Sequence, residues 1–299
     1  MTHPLLAFGW CVLAGFLMSM GGGGGAILVG VGHISVLGIT DANTIKVLNQ
    51  LLEFSSRVVS VPVYYRQRRI AWSVALCYGI GAPAGAICGA WLSKSYLAHM
   101  AGYRSAFGVL VAFVAIRVLY EGWAKALLQH VDHRRAREAS DRMSQRVRAA
   151  GFASLSTNDA PHLVRWSWQR LAIKFGGEIF EFSPWTAVAG GFCISAIGSL
   201  FGVGGGFLAS PFLTSALLLP MYIVVGTSVA ALMIPVAISV ITYVALGVHI
   251  DWGLAAIEIP GVLIGSLIGP ATNQYFNERA LKTFIAAILL ATGLYYVFT

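Results

Sequence analysis

Apolar residues in this chain are gathered into ten stretches, and this distribution constrains the fold more than any other feature. The chain is 57% hydrophobic and 11% charged, whereas a soluble domain has about 25% charged residues. A helix needs about 20 apolar residues to cross the hydrocarbon core of a bilayer. The sequence therefore predicts an all-α, polytopic membrane protein. The predicted segments are 5–20, 25–40, 44–64, 71–93 and 103–120, then 185–201, 205–219, 221–246, 253–273 and 280–298.

One polar insert divides these segments into two groups of five. Residues 121–183 hold ten of the 20 Lys and Arg residues and seven of the 12 Asp and Glu residues. We expect a first transmembrane repeat at 1–120, a basic cytoplasmic insert at 121–183 and a second repeat at 184–299. The insert is expected to form a basic amphipathic helix over about 124–150, solvated or lying among headgroups. A β-hairpin or an interfacial aromatic segment is expected at 163–182.

Two glycine runs interrupt apolar stretches at corresponding places in the two groups. Gly21–Gly25 lies between the first two segments, and Gly202-Val203-Gly204-Gly205-Gly206 lies between segments six and seven. Five glycines are incompatible with an ordinary membrane-spanning helix, because glycine lowers helix stability by about 1 kcal/mol per residue. Each pair of short segments is therefore predicted to form a glycine-broken hairpin, either crossing fully or re-entrant.

The two groups also match each other outside the glycine runs. Gly81, Gly85 and Gly89 correspond to Gly261, Gly265 and Gly269 at an offset of 180 positions. Glycines at every fourth position share one helix face and permit close helix packing, which is the role we favour for these six residues. The basic loop 66–69 predicts a cytoplasmic side, and the insert then lies on the same side. Both termini are predicted to be external, and the second repeat to be inverted relative to the first.

The glycine runs suggest an anion site. Helix N-termini carry partial positive charge and free N–H donors, and glycine leaves these groups uncovered. We therefore expect the backbone at Gly22, Gly23, Gly24 and Gly25, together with that from Val203 to Gly206, to cradle an anion between the repeats. Close helix packing alone is the alternative. The candidate glycines of the second run are Gly204, Gly205 and Gly206.

The third segment carries a polar stripe that is unusual for a membrane helix. Its members recur at three- and four-residue steps, which places them on one face. Asn49 and Gln50 are candidate amide donors to an oxyanion, and Glu53 and Arg57 are a candidate charge pair or coupling group. Lys46 is expected to extend to the outer interface. Hydroxyls predicted at helix starts, those of Thr44, Thr227 and Ser228, complete the candidate site.

Glu258 is the one acidic residue within the fourth segment of the second group. A carboxyl group within a membrane is costly and typically functional, so Glu258 is a candidate proton-coupling residue, with a structural acid as the alternative. No catalytic pair, metal-ligand cluster or nucleotide-binding loop stands in a suitable context. The sequence therefore predicts no enzyme activity, no cofactor and no metal. The basic loops fit membrane orientation, so no nucleic-acid partner is expected.

At this point the residues resemble a known family. Gly202-Val203-Gly204-Gly205-Gly206-Phe207-Leu208-Ala209-Ser210-Pro211, followed by Val225-Gly226-Thr227-Ser228, is similar to the sulfite exporter TauE/SafE family of membrane anion transporters. A weaker first copy runs from Gly21 to Gly30, with Asn43-Thr44-Ile45 in place of Gly-Thr-Ser. The resemblance implies a carrier of the bacterial inner membrane that moves sulfite, sulfonates such as sulfoacetate, or related anions, usually outward.

The combined expectation is an exporter of small anions that works by alternating access, with protons as possible coupling ions through Glu53 or Glu258. Its partners are a sulfur oxyanion or organosulfonate substrate and the lipid bilayer. Two alternatives stay open, an anion channel and a membrane-anchored scaffold that acts through the insert. The sequence leaves the particular anion, the direction of flux and the oligomeric state undefined.

Overall fold

The computed structural model describes residues 4–20, 24–124, 131–150, 160–272 and 278–298, and these residues are mostly helical. Every predicted apolar segment is present as a helix. The first group is α1 (Pro4–Ser19), α2 (Gly24–Val31) with a π-helical continuation (Gly32–Val36), α3 (Ala42–Arg66), α4 (Trp72–Tyr96) and α5 (Met100–Ala124). The insert contributes α6 (Val131–Ala150) and strands β1 (His162–Arg165), β2 (Leu171–Phe175) and β3 (Glu178–Phe182). The second group is α7 (Pro184–Phe201), α8 (Gly206–Ser215), α9 (Met221–Ala231), α10 (Met233–Ala245), α11 (Trp252–Thr272) and α12 (Glu278–Phe298).

Five helical stretches among the described residues are long and apolar enough to cross a membrane. They are Trp72–Tyr96, Met100–Arg117, Pro184–Phe201, Met221–Ala245 and Trp252–Pro270. The protein is therefore embedded in a membrane. α3 is equally long at 25 residues, but its polar stripe lowers its hydropathy.

The second helix of each hairpin is short. α8 has 10 residues and so spans about 15 Å, while α2 with its π-helical continuation spans about 20 Å. A bilayer core is about 30 Å thick. Neither helix is long enough to cross it alone, which favours re-entrant hairpins.

One helix break was absent from our expectation. The segment predicted as 221–246 is interrupted at Leu232, between α9 and α10. Pro235 lies four residues after Ala231 and has no N–H group, so the Ala231 carbonyl loses its helical donor. Leu232 N–H still bonds to Ser228 O at 3.1 Å, and Val236 N–H to Leu232 O at 3.2 Å. The two halves therefore continue one another with a local irregularity.

Helices pair across the two groups in a reciprocal way: α4 packs along α7, α1 packs along α11, and α5 packs along α12. A Cβ atom added to any glycine of the two triplets would overlap or crowd a backbone carbonyl of the facing helix. The carbonyls are those of Val188, Phe192 and Ala196 for α4, and of Phe8, Val12 and Phe16 for α11. The residues that supply these carbonyls in the two helix pairs thus differ by 180 in sequence number, as the two glycine triplets do. This reciprocity supports a structural repeat and agrees with the packing role favoured for these glycines.

The insert departs from the all-α expectation. β1, β2 and β3 form an antiparallel sheet in the order β1-β2-β3. Gly176 and Gly177 join β2 to β3 with φ values of 60° and 88°, and two consecutive positive φ angles are the requirement of a tight hairpin turn. The predicted β-hairpin at 163–182 is therefore present, with β1 as a third strand.

The insert packs against the membrane helices. The apolar face of α6, formed by Ala136, Ala139, Met143 and Val147, is buried in one cluster with sheet residues and with residues of α4, α8 and α9. The expectation of a fully solvated or headgroup-lying helix was wrong in this respect, because protein covers the apolar face. The predicted start of the helix near 124 falls partly on residues 125–130, which lie outside the described residues.

Glycine substitutions on α4 test the close helix packing. Gly85→Ala places a Cβ against Phe192 O, whereas Gly79 on the same helix has open space around the added atom. We expect Gly85→Ala to lower the free energy of unfolding by about 1–3 kcal/mol through overpacking. Gly79→Ala is expected to be neutral or stabilising by up to about 1 kcal/mol, because alanine favours helix. Thermal melting of both variants in detergent checks this. Equal melting temperatures would contradict the packing role.

Candidate functional site

The N-terminus of α3 is fixed by a side-chain cap. Asp41 Oδ2 accepts hydrogen bonds from Thr44 N at 2.8 Å and from Thr44 Oγ1 at 2.6 Å. Thr44 therefore lies at a helix start, as predicted. Glu53 follows nine residues later, about 13 Å along the axis. In this conformation the Thr44 hydroxyl belongs to the cap and lies well away from Glu53.

The polar stripe of α3 is buried along its whole length, from Lys46 to Arg57. Lys46 is fully buried, its Nζ donates to Leu97 O at 2.5 Å, and it lies 4.7 Å from the centre of the Tyr103 ring. Protein therefore surrounds the Lys46 side chain, and its extension to the outer interface stays a prediction. Leu97 is the C-cap of α4, and a helix C-terminus attracts a cation because its last carbonyls lack helical partners.

The two amides of the stripe face the glycine segments. Gln50 Nε2 donates to Gly198 O at 3.2 Å, near the end of α7. Asn49 lies against Gly30 of α2, where an added Cβ would stand 3.1 Å from Asn49 Nδ2. Both Asn49 amide atoms and Gln50 Oε1 are buried without a hydrogen-bond partner in the described part of the chain. Buried polar atoms normally have partners, so Asn49 Nδ2 is an unusual unpartnered donor, and Asn49 Oδ1 and Gln50 Oε1 are unusual unpartnered acceptors.

Glu53 and Arg57 form an ion pair between Arg57 Nη2 and Glu53 Oε1, one helical turn apart. The Glu53 side chain is 2% exposed and that of Arg57 is 4% exposed. Glu53 Oε2 and Arg57 Nε have no hydrogen-bond partner among the described residues. The pair is therefore charge-compensated but incompletely hydrogen-bonded, and breaking it without another partner would leave a buried charge, which costs several kcal/mol.

The second glycine run wraps around α3. Gly202, Gly204 and Gly205 have positive φ values of 70°, 57° and 79°, a conformation that glycine adopts at little cost. A side chain at Gly204 would overlap the Glu53 carboxylate, and one at Gly202 would overlap Lys46. These glycines therefore let the chain pass directly over the buried charges.

The backbone donors of this run are mostly occupied. Val203 N–H and Gly204 N–H both bond to Gly198 O, at 2.8 and 3.2 Å, and Gly205 N–H bonds to Val203 O at 2.7 Å. In this conformation the cradle expected from Val203 to Gly205 is closed by these internal bonds. Across the described residues, no backbone carbonyl accepts from Gly206 or Phe207. The free donors of the second hairpin therefore begin at Gly206, the first residue of α8.

The first glycine run is only partly described. Gly22 and Gly23 lie outside the described residues, and Gly24 begins α2. Gly25 packs against the backbone of α1, where an added Cβ would overlap Met18 N. This contact holds the two helices of the first hairpin together.

Thr227 and Ser228 differ from the expectation that both occupy a helix start. α9 begins at Met221 after Pro220, so the two residues lie in its second turn. Thr227 Oγ1 accepts from Ala71 N at 2.9 Å and so caps the start of α4. Ser228 Oγ donates to Val225 O at 2.9 Å and lies 3.4 Å from Ser210 Oγ. Ser228 reaches the pocket described next, while the Thr227 hydroxyl is committed to the cap.

A small pocket lies where the hairpins meet α3 and α9, with a cavity of about 10 Å³. This volume is about the room that one water molecule needs. Its lining comes from both helices of the first hairpin, from the ion pair of α3, from the start of α8, and from the end of α9 at its break before α10. The lining residues are Met18, Ala26, Glu53, Arg57, Gly206, Ser228, Val229 and Leu232. The structure thus brings together Glu53, Arg57, Gly206 and Ser228 from the predicted set.

A second buried polar centre includes a residue that sequence reasoning missed. His33 Nε2 lies 2.8 Å from Glu258 Oε1, and the two side chains are 1% and 0% exposed. His33 lies in the π-helical turn Gly32–Val36, a geometry often found at functional sites. A histidine inside an apolar segment was the available signal, since ionisable residues are rare in membrane helices.

These features define a class of protein. Broken helices that meet at a buried polar centre, within a bundle of membrane-spanning helices, are characteristic of membrane transporters. The chain belongs to the sulfite exporter TauE/SafE family, whose model matches residues 7–296. The family resemblance noted from the glycine motifs is thereby confirmed.

A curated relative agrees with this assignment. The "Probable membrane transporter protein YunE" of Bacillus subtilis (strain 168) is 22% identical over 234 residues, covering 78% of this chain and 73% of the relative. No solved structure matches the chain. Family and relative together make the protein a membrane transporter, which argues for transport rather than catalysis.

A pair of glycine substitutions tests the contact between the second hairpin and Glu53. Gly204→Ala introduces a Cβ at positive φ that overlaps the Glu53 carboxylate, whereas Gly38→Ala has a similar φ of 65° in open space. Both variants incur the left-handed strain of about 1–2 kcal/mol. We expect Gly204→Ala to lose a further 1–3 kcal/mol or so by overpacking. The apparent melting temperatures in detergent provide the measurement, and equal losses would contradict the contact.

Proposed function

We propose that this protein is a carrier of small sulfur oxyanions or organosulfonates, and that the anion binds in the pocket between the hairpins, α3 and α9. The observation that carries the proposal is the position of Arg57. This buried cation lies in a pocket lined by both glycine-broken hairpins. Family membership supports sulfite as the first substrate to examine.

The chemistry of the pocket suits a tetrahedral or pyramidal oxyanion. A guanidinium presents several N–H donors in a fixed plane and binds oxyanions through paired hydrogen bonds. The free N–H groups at the start of α8 add donors and the positive end of a helix dipole. Ser228 supplies a hydroxyl in the pocket. On the neighbouring part of α3, Asn49 Nδ2 is a donor without a partner within the described residues, while Gln50 Nε2 would have to leave Gly198 O before it could bind an anion. Together these groups can replace the hydration shell of the anion.

Glu53 competes with the anion for Arg57. In the structure the Glu53 carboxylate is paired with Arg57 Nη2, and Gly204 lies against that carboxylate. An arriving anion displaces Glu53, which then needs a proton or another partner, because an unpaired buried carboxylate is costly. Substrate binding and rearrangement of the second hairpin are therefore linked through one ion pair.

The small size of the cavity indicates that the structure shows a closed conformation. A space that holds about one water molecule is too small for sulfite, so the hairpins must separate from α3 for binding. We propose alternating access between two inverted repeats, supported by the reciprocal packing of α1 on α11 and α4 on α7. The basic loop at 66–69 and the insert are assigned to the cytoplasmic side of the bacterial inner membrane, and both termini to the outside.

The rival functions make different predictions. A channel conducts without saturation, whereas a carrier shows a flux that saturates with anion concentration. A scaffold that acts through the insert moves no anion across proteoliposomes, whereas a carrier does. Flux from proteoliposomes against sulfite concentration separates carrier from channel.

Substitution of Arg57 tests the binding site. We expect Arg57→Gln to weaken sulfite or sulfonate binding by about 10-fold or more, since a hydrogen bond to a charged group contributes roughly 1.5–3 kcal/mol. Arg66→Gln is the matched control, because Arg66 is exposed at the end of the same helix. The measurement is the thermal shift that each anion produces in purified protein, because a ligand bound only to the folded form raises its stability.

The thermal shifts of Arg57→Gln and Arg66→Gln can either support the site or contradict it. Loss of the ligand-induced shift in Arg57→Gln alone supports the site. An unchanged shift in a folded Arg57→Gln variant would contradict it. Glu53→Gln gives a second check, because removal of the competing charge is expected to strengthen anion binding or leave it intact while slowing transport.

A further inference from the structure

A second ionisable centre lies within the membrane-spanning part of the protein, apart from the proposed anion pocket. It consists of His33 and Glu258, whose Nε2 and Oε1 atoms are 2.8 Å apart, with the thiol of Cys11 next to the carboxyl group. None of these three residues lines the pocket of Arg57. The proposed binding of the anion does not use them.

The centre joins the first hairpin to the second half of the chain. His33 lies in the π-helical continuation of α2, Cys11 lies on α1, and Glu258 lies on α11. α11 packs along α1 through the glycine triplet Gly261, Gly265 and Gly269. This packing holds α1 on α11, so a change in the distance between His33 and Glu258 requires movement of the π-helical turn Gly32–Val36 relative to the two packed helices.

The hydrogen-bonding pattern assigns the position of a transferable proton. When Glu258 is a carboxylate, His33 Nε2 must carry the hydrogen that it donates to Oε1. His33 Nδ1 and Glu258 Oε2 are buried and have no hydrogen-bond partner among the described residues. Nδ1 of the neutral ring then holds a free lone pair, so a proton from water can bind there without breaking the existing bond.

The net charge of the pair changes with one proton. A neutral His33 beside a Glu258 carboxylate has a net charge of −1, and an unpaired buried charge is costly in a membrane. Binding of one proton at Nδ1 gives an imidazolium–carboxylate pair with no net charge.

Other ionisable groups nearby are already engaged. Tyr296 of α12 bonds to Ser35, which lies two residues after His33, and Lys46 of α3 bonds to Leu97 O. Glu53 and Arg57 of α3 pair with each other. Within the described part of the chain, Cys11 is a further titratable side chain beside the pair.

We infer that His33 and Glu258 form the proton-coupling site of the transporter, a step that rests on the proposed anion transport. One proton binds at His33 Nδ1 in the conformation with His33 and Glu258 in contact. The proton returns to water on the other side of the membrane when the turn Gly32–Val36 moves away from α11. Glu258 is a positioning residue that holds the ring and balances its charge. The anion and the proton thus use separate sites.

The experiment separates coupling from anion binding in proteoliposomes. Labelled sulfite exchange, with equal sulfite on both sides, measures binding and movement of the loaded carrier. Net sulfite flux driven by a pH gradient measures coupling, and an entrapped pH-sensitive dye reports proton movement. The variants are His33→Gln and Glu258→Gln, with Asp251→Asn as the control. Asp251 is an exposed carboxylate just before α11, and the asparagine side chain keeps an oxygen that can accept from Leu254 N at the helix start.

We expect both pair variants to lose pH-driven net flux by about 10-fold or more, the size expected for loss of a hydrogen bond to a charged group. Exchange is expected to stay within about threefold, and Asp251→Asn to behave as the wild-type protein in both assays. Glu258→Asp, which keeps a carboxyl group, is expected to retain coupling with a shifted pH profile.

Several outcomes would overturn the inference. Normal pH-driven flux in a folded His33→Gln variant would do so, as would wild-type sulfite flux that moves no protons or depends on sodium instead. Equal loss of exchange and net flux in folded variants would make the pair structural. Proton measurement needs only the wild-type protein, so a flux that moves no protons would overturn the inference even where the variants fail to fold. Absence of both sulfite binding and exchange in the wild-type protein would overturn the proposed sulfite transport, and the inference with it.

Discussion

The ion pair between Glu53 and Arg57 is the interaction on which the centre of the structure depends. Two opposite charges near the middle of a membrane helix are tolerable only when they neutralise each other and are shielded from lipid. The second hairpin supplies that shield, and it can approach so closely only because Gly204 has no side chain. The glycine run is therefore explained by the charges beneath it as much as by the break in the helix.

This relationship changes the interpretation of the glycine runs. A backbone cradle of free N–H groups was the simplest hypothesis, yet most donors between Gly202 and Gly205 bond within the hairpin. The turn conserves its own hydrogen bonds because unsatisfied backbone groups are costly away from water. The groups left for a ligand are the side chains of α3 and the first N–H groups of α8. The proposed binding of an anion therefore needs a rearrangement, which suits the proposed carrier better than an open pore.

The sequence predicted the helices well and the site only in part. Long apolar stretches and glycine breaks have local causes, so their positions could be located to within a few residues. The buried stripe of α3 was equally visible through its spacing. The partner of Glu258 was hidden because His33 is 225 positions away, and only the packing of the first hairpin on α11 brings them together. Thr227 was misplaced for a similar reason, since its hydroxyl caps α4 across 156 positions.

The insert has a structural role that its polar composition concealed. Tyr222, the second residue of α9, donates its backbone N–H to Ser140 of α6 at 3.1 Å, and its carbonyl accepts from Arg69 at 2.9 Å. Its ring stacks on Phe175 of the sheet and on the Arg69 guanidinium. The start of α9 is thus held between the insert and the loop before α4, while Ser228 reaches the pocket less than two turns later. Because a helix transmits displacement along its axis, the position of Ser228 depends on these contacts at the start of α9. The insert therefore helps to position one wall of the pocket.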